Sequence, residues 1–385
     1  MKIGILTQPL HVNYGGLLQN FALQQVLKKE GYEVDTIDWH FKRPFYRYYL
    51  GWCKWCLFKI ANKKVEKPRY QLSDSESLII SGNTKRFIDR YLSICPMVVH
   101  EKADFTNIPV QFNYDAYIVG SDQVWRPSYN STALAAMFLD FCEGLDVKRI
   151  AYAASFGSSN WDFSPGMTKK CAKLAKKFNL ITVREESGVN LCREFLGVDA
   201  NHVLDPTMLL SKEEYVRLVE AESAPKSNGE LFHYILDPSN EKKIFIEKVA
   251  RSQGLKAFTI MPKCQAENRT RTDVKNHIED CVFPSVTSWL RGFLDAKMVI
   301  VDSFHGAAFS IIFNKPFWVL ANTKRGNARF ESLLGMFGLE DRMITTEILS
   351  EDFFDCNKMI NWEKVNEIRD LQAKKSMNCL KGALL

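Results

Sequence analysis

No apolar run in the 385 residues reaches the length needed to cross a bilayer, and the opening stretch, MKIGILTQPL, reads as a strand without the long apolar core of a signal peptide. Strong charge is missing as well: 51 Lys and Arg stand against 45 Asp and Glu, a formal net charge of +6. That is too mild for a nucleic-acid footprint, so no nucleic-acid partner is expected, although it suits a protein that handles anionic ligands or rests near an anionic surface. Metal-ligand spacing is almost absent. Of the ten cysteines only Cys53 and Cys56 form a CxxC pair, no second pair follows it, and no metal site is expected. The rest lie mostly inside apolar segments such as LCREFL and DFCEGL, as reduced core residues of a cytoplasmic chain would. Low-complexity tracts, short-period repeats and a GxGxxG fingerprint are lacking too, which weakens a dinucleotide reading.

What remains is the composition of an ordinary folded protein, 46% hydrophobic and 25% charged, at a length for which two domains are the expectation. Short apolar runs alternate with helical patterns almost throughout. KIGILT reads as a strand, Gly15 to Glu30 has helical periodicity that Gly31 stops, and EVDTID is the next strand, a βαβ opener. DAYIVG, KRIAYAAS, LITV and HVLD continue the strand series, and Ser211 with Glu214 forms a capping box that starts another helix. Pro, Ser, Asn and Gly cluster in ESAPKSNGEL, so the domain break is placed there, giving units 1–222 and 223–385. A second alternating series follows, with a C-terminal helix expected to pack back on the first unit. The fold class is therefore α/β: two Rossmann-like doubly wound domains facing across a cleft.

In such folds ligands sit beyond the carboxyl ends of the strands, where helix N-termini point free N–H groups outward. The stretch VIVDSFHGAAFSIIF places a lone histidine at such a seam. His305 would stand beside a helix dipole end that favours anions, with Gly306 allowing close backbone approach, unless it merely caps its own helix. Three other strand-to-helix turns carry polar residues of similar kind. HVNYGGLLQN combines Asn13, Gly15, Gly16, Gln19 and Asn20; VGSDQVWRP offers Ser121, Asp122, Gln123 and Trp125, hydroxyl-binding groups beside a flat aromatic face that suits a sugar. The plain alternative for the latter is an Asx turn with a packed Trp. TVREESG puts Arg184 just after a strand, as a bidentate anion clamp or as a salt bridge to Glu185 or Glu186. NTKRGNARF adds Lys324, Arg325 and Arg329 around a glycine.

One segment breaks the rhythm. Phe41 to Arg69 holds nine Lys or Arg against a single Glu, interleaved with aromatics. It reads either as an interfacial helix making peripheral contact with anionic lipid or as a packed helical insertion with solvated basic residues.

Taken together, NYGGLLQNFALQQVLKKEGYEVDTID, YIVGSDQVWRP, RIAYAASFG, VREESGV, VLDPTMLL and DSFHGAAFSIIFNKPF resemble the polysaccharide pyruvyl transferase family, in pieces that run from about Lys2 to Arg342. The resemblance implies a GT-B-like fold and transfer of pyruvate from phosphoenolpyruvate onto two hydroxyls of one sugar as a ketal, with phosphate released and no further cofactor. It also implies a polysaccharide or lipid-linked sugar acceptor. Arg184 matches an arginine that contacts phosphoenolpyruvate in such enzymes, and Ser303, Phe304 and His305 match the donor-binding stretch that includes the family's histidine. Some members carry an arginine where this chain has Ser303; Lys324, Arg325 or Arg329 would supply that charge. On this basis His305 is expected as acid or phosphate ligand, Arg184 as clamp and Asp122 as hydroxyl base. The donor contacts are completed by Ser303, Phe304, Gly306, Lys324, Arg325 and Arg329. The acceptor would be met by Asn13, Gly15, Gly16, Gln19, Asn20, Ser121, Asp122, Gln123 and Trp125. The rival readings are a glycosyltransferase using a nucleotide sugar and a non-catalytic sugar-binding protein of the same fold.

Overall fold

The apolar runs become parallel strands buried on both faces, which is why they read as continuous rather than alternating. The computed structural model describes residues 1–41, 45–61, 70–264, 270–321, 326–345, 356 and 358–385, with backbone only at 45–48. Its first sheet comprises β1 (Lys2–Leu6), β2 (Glu33–Ile37), β3 (Ala116–Val119), β4 (Lys148–Ala154), β5 (Leu180–Val183) and β6 (Asn201–His202), in the order β2-β1-β3-β4-β5-β6. The second comprises β7 (Leu231–Tyr234), β8 (Ala257–Phe258), β9 (Met298–Val301), β10 (Phe317–Leu320) and β11 (Met343–Ile344), in the order β11-β10-β9-β7-β8. All neighbours are parallel. The two orders are the same doubly wound pattern, so each sheet reverses its winding once: between β1 and β3 in the first, between β7 and β9 in the second. Those reversal points are where such sheets take ligands.

Helix boundaries follow local chemistry. The helix Tyr14–Lys29 starts where the Asn13 side chain accepts from the Gly16 N–H, and the helix Phe304–Ile312 starts where Ser303 accepts from the Gly306 N–H. Ser211 and Glu214 form the expected capping box of the helix Lys212–Ala221.

The cores do not divide cleanly at the linker. One cluster runs from Leu10, Tyr14, Leu18 and Met208 to Phe232, Trp289, Phe309 and Phe330, joining both sheets through the helices between them. At its centre Tyr14 stacks on Trp289 at 5.7 Å and donates to the Pro284 carbonyl at 2.9 Å. The helix Trp362–Leu384 returns to the first sheet: Leu380 and Leu384 pack with Ile3, Ile5 and Tyr152, and Ser376 accepts from the Leu204 N–H at 3.0 Å.

Candidate active site

Residues scattered over nearly 300 positions meet where the carboxyl ends of the two sheets come together. From the first sheet, β3 runs into Ser121 and Asp122, β5 into Arg184, and β6 into Asp205. From the second, β9 runs into Ser303, Phe304 and His305. Arg184 is 3% exposed and is gripped on both sides: Nη2 donates to Asp122 Oδ1 at 3.0 Å and Nη1 to Asp205 Oδ2 at 2.9 Å. Its guanidinium lies over the Phe304 ring at 4.1 Å, a cation–π contact made across the junction. His305 brings Nε2 to 3.7 Å from the same Asp205 oxygen, beyond hydrogen-bond distance.

Asp205 holds this group in place. Its other oxygen accepts from the N–H and hydroxyl of Thr207 at 3.0 and 2.8 Å, and Ser121 donates to Oδ2 at 3.0 Å. Burial alone would raise its carboxyl; His305, Arg184 and the Thr207 N–H outweigh burial and hold it far below the usual carboxylate range. The same contest lowers Asp122, where burial is opposed by Arg184, His305 and Arg329. Arg184 itself stays charged, burial being outweighed by Asp122 and Asp205. Arg329 is buried nearby, and burial together with repulsion from Arg184 pushes it down to about 10.

Among the described residues, Arg184 Nε, His305 Nε2 and Glu185 Oε2 are buried at the junction without a hydrogen-bond partner. Buried orphans of this kind call for a ligand or water. The helices Tyr14–Lys29 and Phe304–Ile312 begin at the two reversal points, so both dipole ends face the same place. A Cβ on Gly15 would overlap the His305 imidazole, which therefore rests directly on the first turn of the opposite helix. The halves are also stapled: Ser332 accepts from the Glu186 N–H at 3.0 Å and lies 3.1 Å from His202 Nε2, which in turn meets the Arg184 carbonyl at 3.1 Å.

The expected donor residues Arg184, Ser303, Phe304, His305, Gly306 and Arg329 thus come together, while Lys324 and Arg325 lie outside the described residues. Arg184 pairs with Asp122 and Asp205, not with Glu185 or Glu186. The acceptor expectations need correction. Trp125 presents no free face: it is fully buried, stacked on Phe138 at 4.6 Å, and its indole N–H donates to the Met137 carbonyl. Gln19, Ser121 and Thr7 bond to one another and lock the loop after β3. Asn20 accepts from Thr36 beneath β2, and the Gln123 amide oxygen accepts from Arg126. Asn13 and Gly15 stay at the junction, Asn13 exposed beside its cap, with Gly16 one step behind. Asp122, expected as hydroxyl base, is bound to Arg184, whose charge holds its carboxyl low, and this contact also keeps Arg184 in position. Sequence reasoning passed over Asp205, although it stands in VLDPTMLL just past a strand, as Asp122, Arg184 and His305 do. A wide cavity of about 760 Å³ opens elsewhere, between the helices Asp74–Tyr91 and Val286–Asp295, and shares none of the junction residues.

A family model for polysaccharide pyruvyl transferase matches residues 13–324, most of the chain and all of the junction except Arg329. No curated protein matches the chain. Among solved structures, the UDP-GlcNAc 2-epimerase from Methanocaldococcus jannaschii aligns at 12% identity and a TM-score of 0.47, covering 97% of this chain and 93% of the other. Arabidopsis thaliana UGT89C1 complexed with quercetin aligns at 10% identity and a TM-score of 0.48, covering 99% of each chain. The two-sheet α/β architecture expected from the sequence is the one found. The chain belongs to the polysaccharide pyruvyl transferase family.

Proposed function

We propose that this member of the polysaccharide pyruvyl transferase family takes pyruvate from phosphoenolpyruvate and sets it as a ketal on two hydroxyls of one sugar, releasing phosphate. The sugar belongs to a polysaccharide or its lipid-linked precursor, the reaction needs no further cofactor, and the enzyme works on the cytoplasmic side. The observation that carries this reading is the pair of orphaned nitrogens, Arg184 Nε and His305 Nε2, buried where two helix N-termini converge.

Phosphoenolpyruvate carries about three negative charges near neutral pH. The junction balances two buried arginines, Arg184 and Arg329, against three buried carboxylates, Asp122, Asp205 and Glu185. Such a site accepts a polyanion only with further positive charge, which protonated His305, the two dipole ends and the Lys324–Arg325 turn would bring. Protonated His305 then has a second use. Its proton passes to the methylene carbon of the donor, which becomes a methyl group, and C2 becomes an oxocarbenium-like centre that the first hydroxyl attacks. The C–O bond to phosphate breaks with its electron pair, the second hydroxyl closes the ketal, and of the two hydroxyl protons one restores His305 and the other leaves with phosphate. Arg184 holds the donor's carboxylate or phosphate through Nε, its two Nη groups being already fixed by Asp122 and Asp205.

Calorimetric titration of phosphoenolpyruvate into the protein tests this, beside His305→Ala and Arg184→Lys. Saturable binding weakened by both substitutions is expected. Failure of phosphoenolpyruvate to bind, with or without candidate sugars, together with saturable binding of a uridine nucleotide sugar, would overturn the reading in favour of glycosyl transfer.

A further inference from the structure

The helix Phe45–Ile60 is amphipathic the wrong way round for a soluble protein. None of its described side chains is buried, and it exposes large apolar ones: Ile60 at 85%, Leu57 at 67%, Tyr49 at 61% and Leu50 at 60%. At 100° per residue Tyr49, Cys53, Cys56, Leu57 and Ile60 fall on one stripe, with Leu50 beside it and no charge within it. The described lysines lie on the flanks, each laid along an aromatic ring: Lys54 over Phe58 at 5.6 Å and Lys59 over Trp55 at 4.8 Å. Trp52 and Trp55 meet edge to face at 5.5 Å. This is an outward apolar stripe bordered by amphipathic rings and cations.

We propose that this helix docks in the plane of an anionic lipid surface, its stripe sunk into the headgroup–acyl boundary. The charge of the segment selects lipid over a second copy of the chain. Residues 41–69 carry nine Lys or Arg against one Glu, so pairing two such patches would press like charges together, whereas an anionic leaflet neutralises them. Trp, Tyr and Lys are also the residues that sit well at a lipid–water boundary. No described helix is long and apolar enough to cross a membrane, so the contact is one of lying on the surface. Its place in the fold gives the contact a purpose. The insertion leaves the first sheet at the carboxyl end of β2, an edge strand two places from β3, and in a parallel sheet that is the end that carries Asp122 and Arg184. Docking there would bring the junction close to the lipid surface, where a lipid-linked sugar would be presented.

The test is co-sedimentation of the full chain with vesicles of equimolar phosphatidylcholine and phosphatidylglycerol, and with phosphatidylcholine alone. The protein is expected to sediment with the anionic vesicles and to be released by salt. Leu50→Glu/Leu57→Glu/Ile60→Glu should remain in the supernatant, and Lys54→Glu/Lys59→Glu should bind at least about tenfold more weakly. All five side chains are largely exposed, so unchanged thermal unfolding and unchanged phosphoenolpyruvate titration would show that fold and donor site are intact. Docking and donor binding are read separately and fail separately. Absence of the wild type from the anionic vesicle pellet, or sedimentation indifferent to the triple substitution, would overturn the proposal. So would a dimer seen by sedimentation velocity that the triple substitution dissolves while vesicles have no effect; the stripe would then be an interface between copies.

Discussion

The two sheets share one strand order, yet their reversal points are built from unlike materials. At the first, charge is spent internally: Arg184 is bound by Asp122 and Asp205, Asp205 by Thr207 and Ser121, and the loop beneath by Gln19 and Thr7. At the second, Asp302 ties the turns after β7 and β9 together, accepting from the Leu236 and Asp237 N–H groups and pairing with Lys242 at 2.6 Å, but His305 beside it has no hydrogen-bond partner for Nε2 among the described residues. One half supplies a fixed electrostatic frame and the other the histidine to which the proposed mechanism gives the proton transfer. Removing a member of the frame should therefore damage fold and function together, whereas removing the histidine should damage function alone.

The sharpest way to break that contrast is Arg184→Ala. It strands two buried carboxylates, so unfolding by denaturant should show a loss of about 3–5 kcal/mol, with donor binding gone. A loss below about 1 kcal/mol would mean that Asp122 and Asp205 find other partners and that no frame exists. His305→Ala should lower turnover by about a hundredfold or more while the unfolding free energy moves by less than about 2 kcal/mol; equal damage to both would erase the distinction. Gly15→Ala sharpens it from the opposite side. The new methyl group must displace the His305 ring, so turnover should fall by roughly tenfold to a hundredfold, with a shifted imidazole resonance and a smaller change in stability than Arg184→Ala.

The mildest effect lies in pH. Burial lowers His233, on β7, to about 4, below its value in the unfolded chain. The unfolded chain therefore binds the extra proton, and this contribution is present above about 6.5 and lost as pH falls towards about 4. Asp122 and Asp205 are held low in the folded state, so their contribution is present above about 4 and lost only as pH falls further. Stability measured against pH should show two successive declines, the milder one removed by His233→Gln and the more acid one altered by Asp205→Asn.

Much of this was legible in the sequence, and the exceptions share a cause. Strand ends were readable because parallel strands are apolar throughout and stop at polar residues, which is how Arg184, Ser303 and His305 could be picked out. Trp125 and Asp205 were misjudged because their fates depend on remote partners. Whether Trp125 offers its face to a sugar is decided by Phe138 and Met137, and whether Asp205 matters is decided by Ser121, Arg184 and His305, up to 100 positions away. The helix Asp74–Tyr91 was passed over despite a local sign, the capping box between Ser73 and Glu76. The exposed helix Phe45–Ile60 posed the converse problem: its composition announced an aromatic, basic helix, but only the structure shows the apolar stripe facing outward.

The returning helix Trp362–Leu384 also fixes the order in which the chain can mature. Ile3, Ile5, Ile150 and Tyr152 share one cluster with Leu23 and Leu27 and with Leu380 and Leu384, which arrive last. At about 5–20 residues per second, on the order of ten to thirty seconds pass between synthesis of β6 and of those leucines. During that interval the apolar cluster of the first sheet holds Leu23 and Leu27 but not yet the two leucines that complete it.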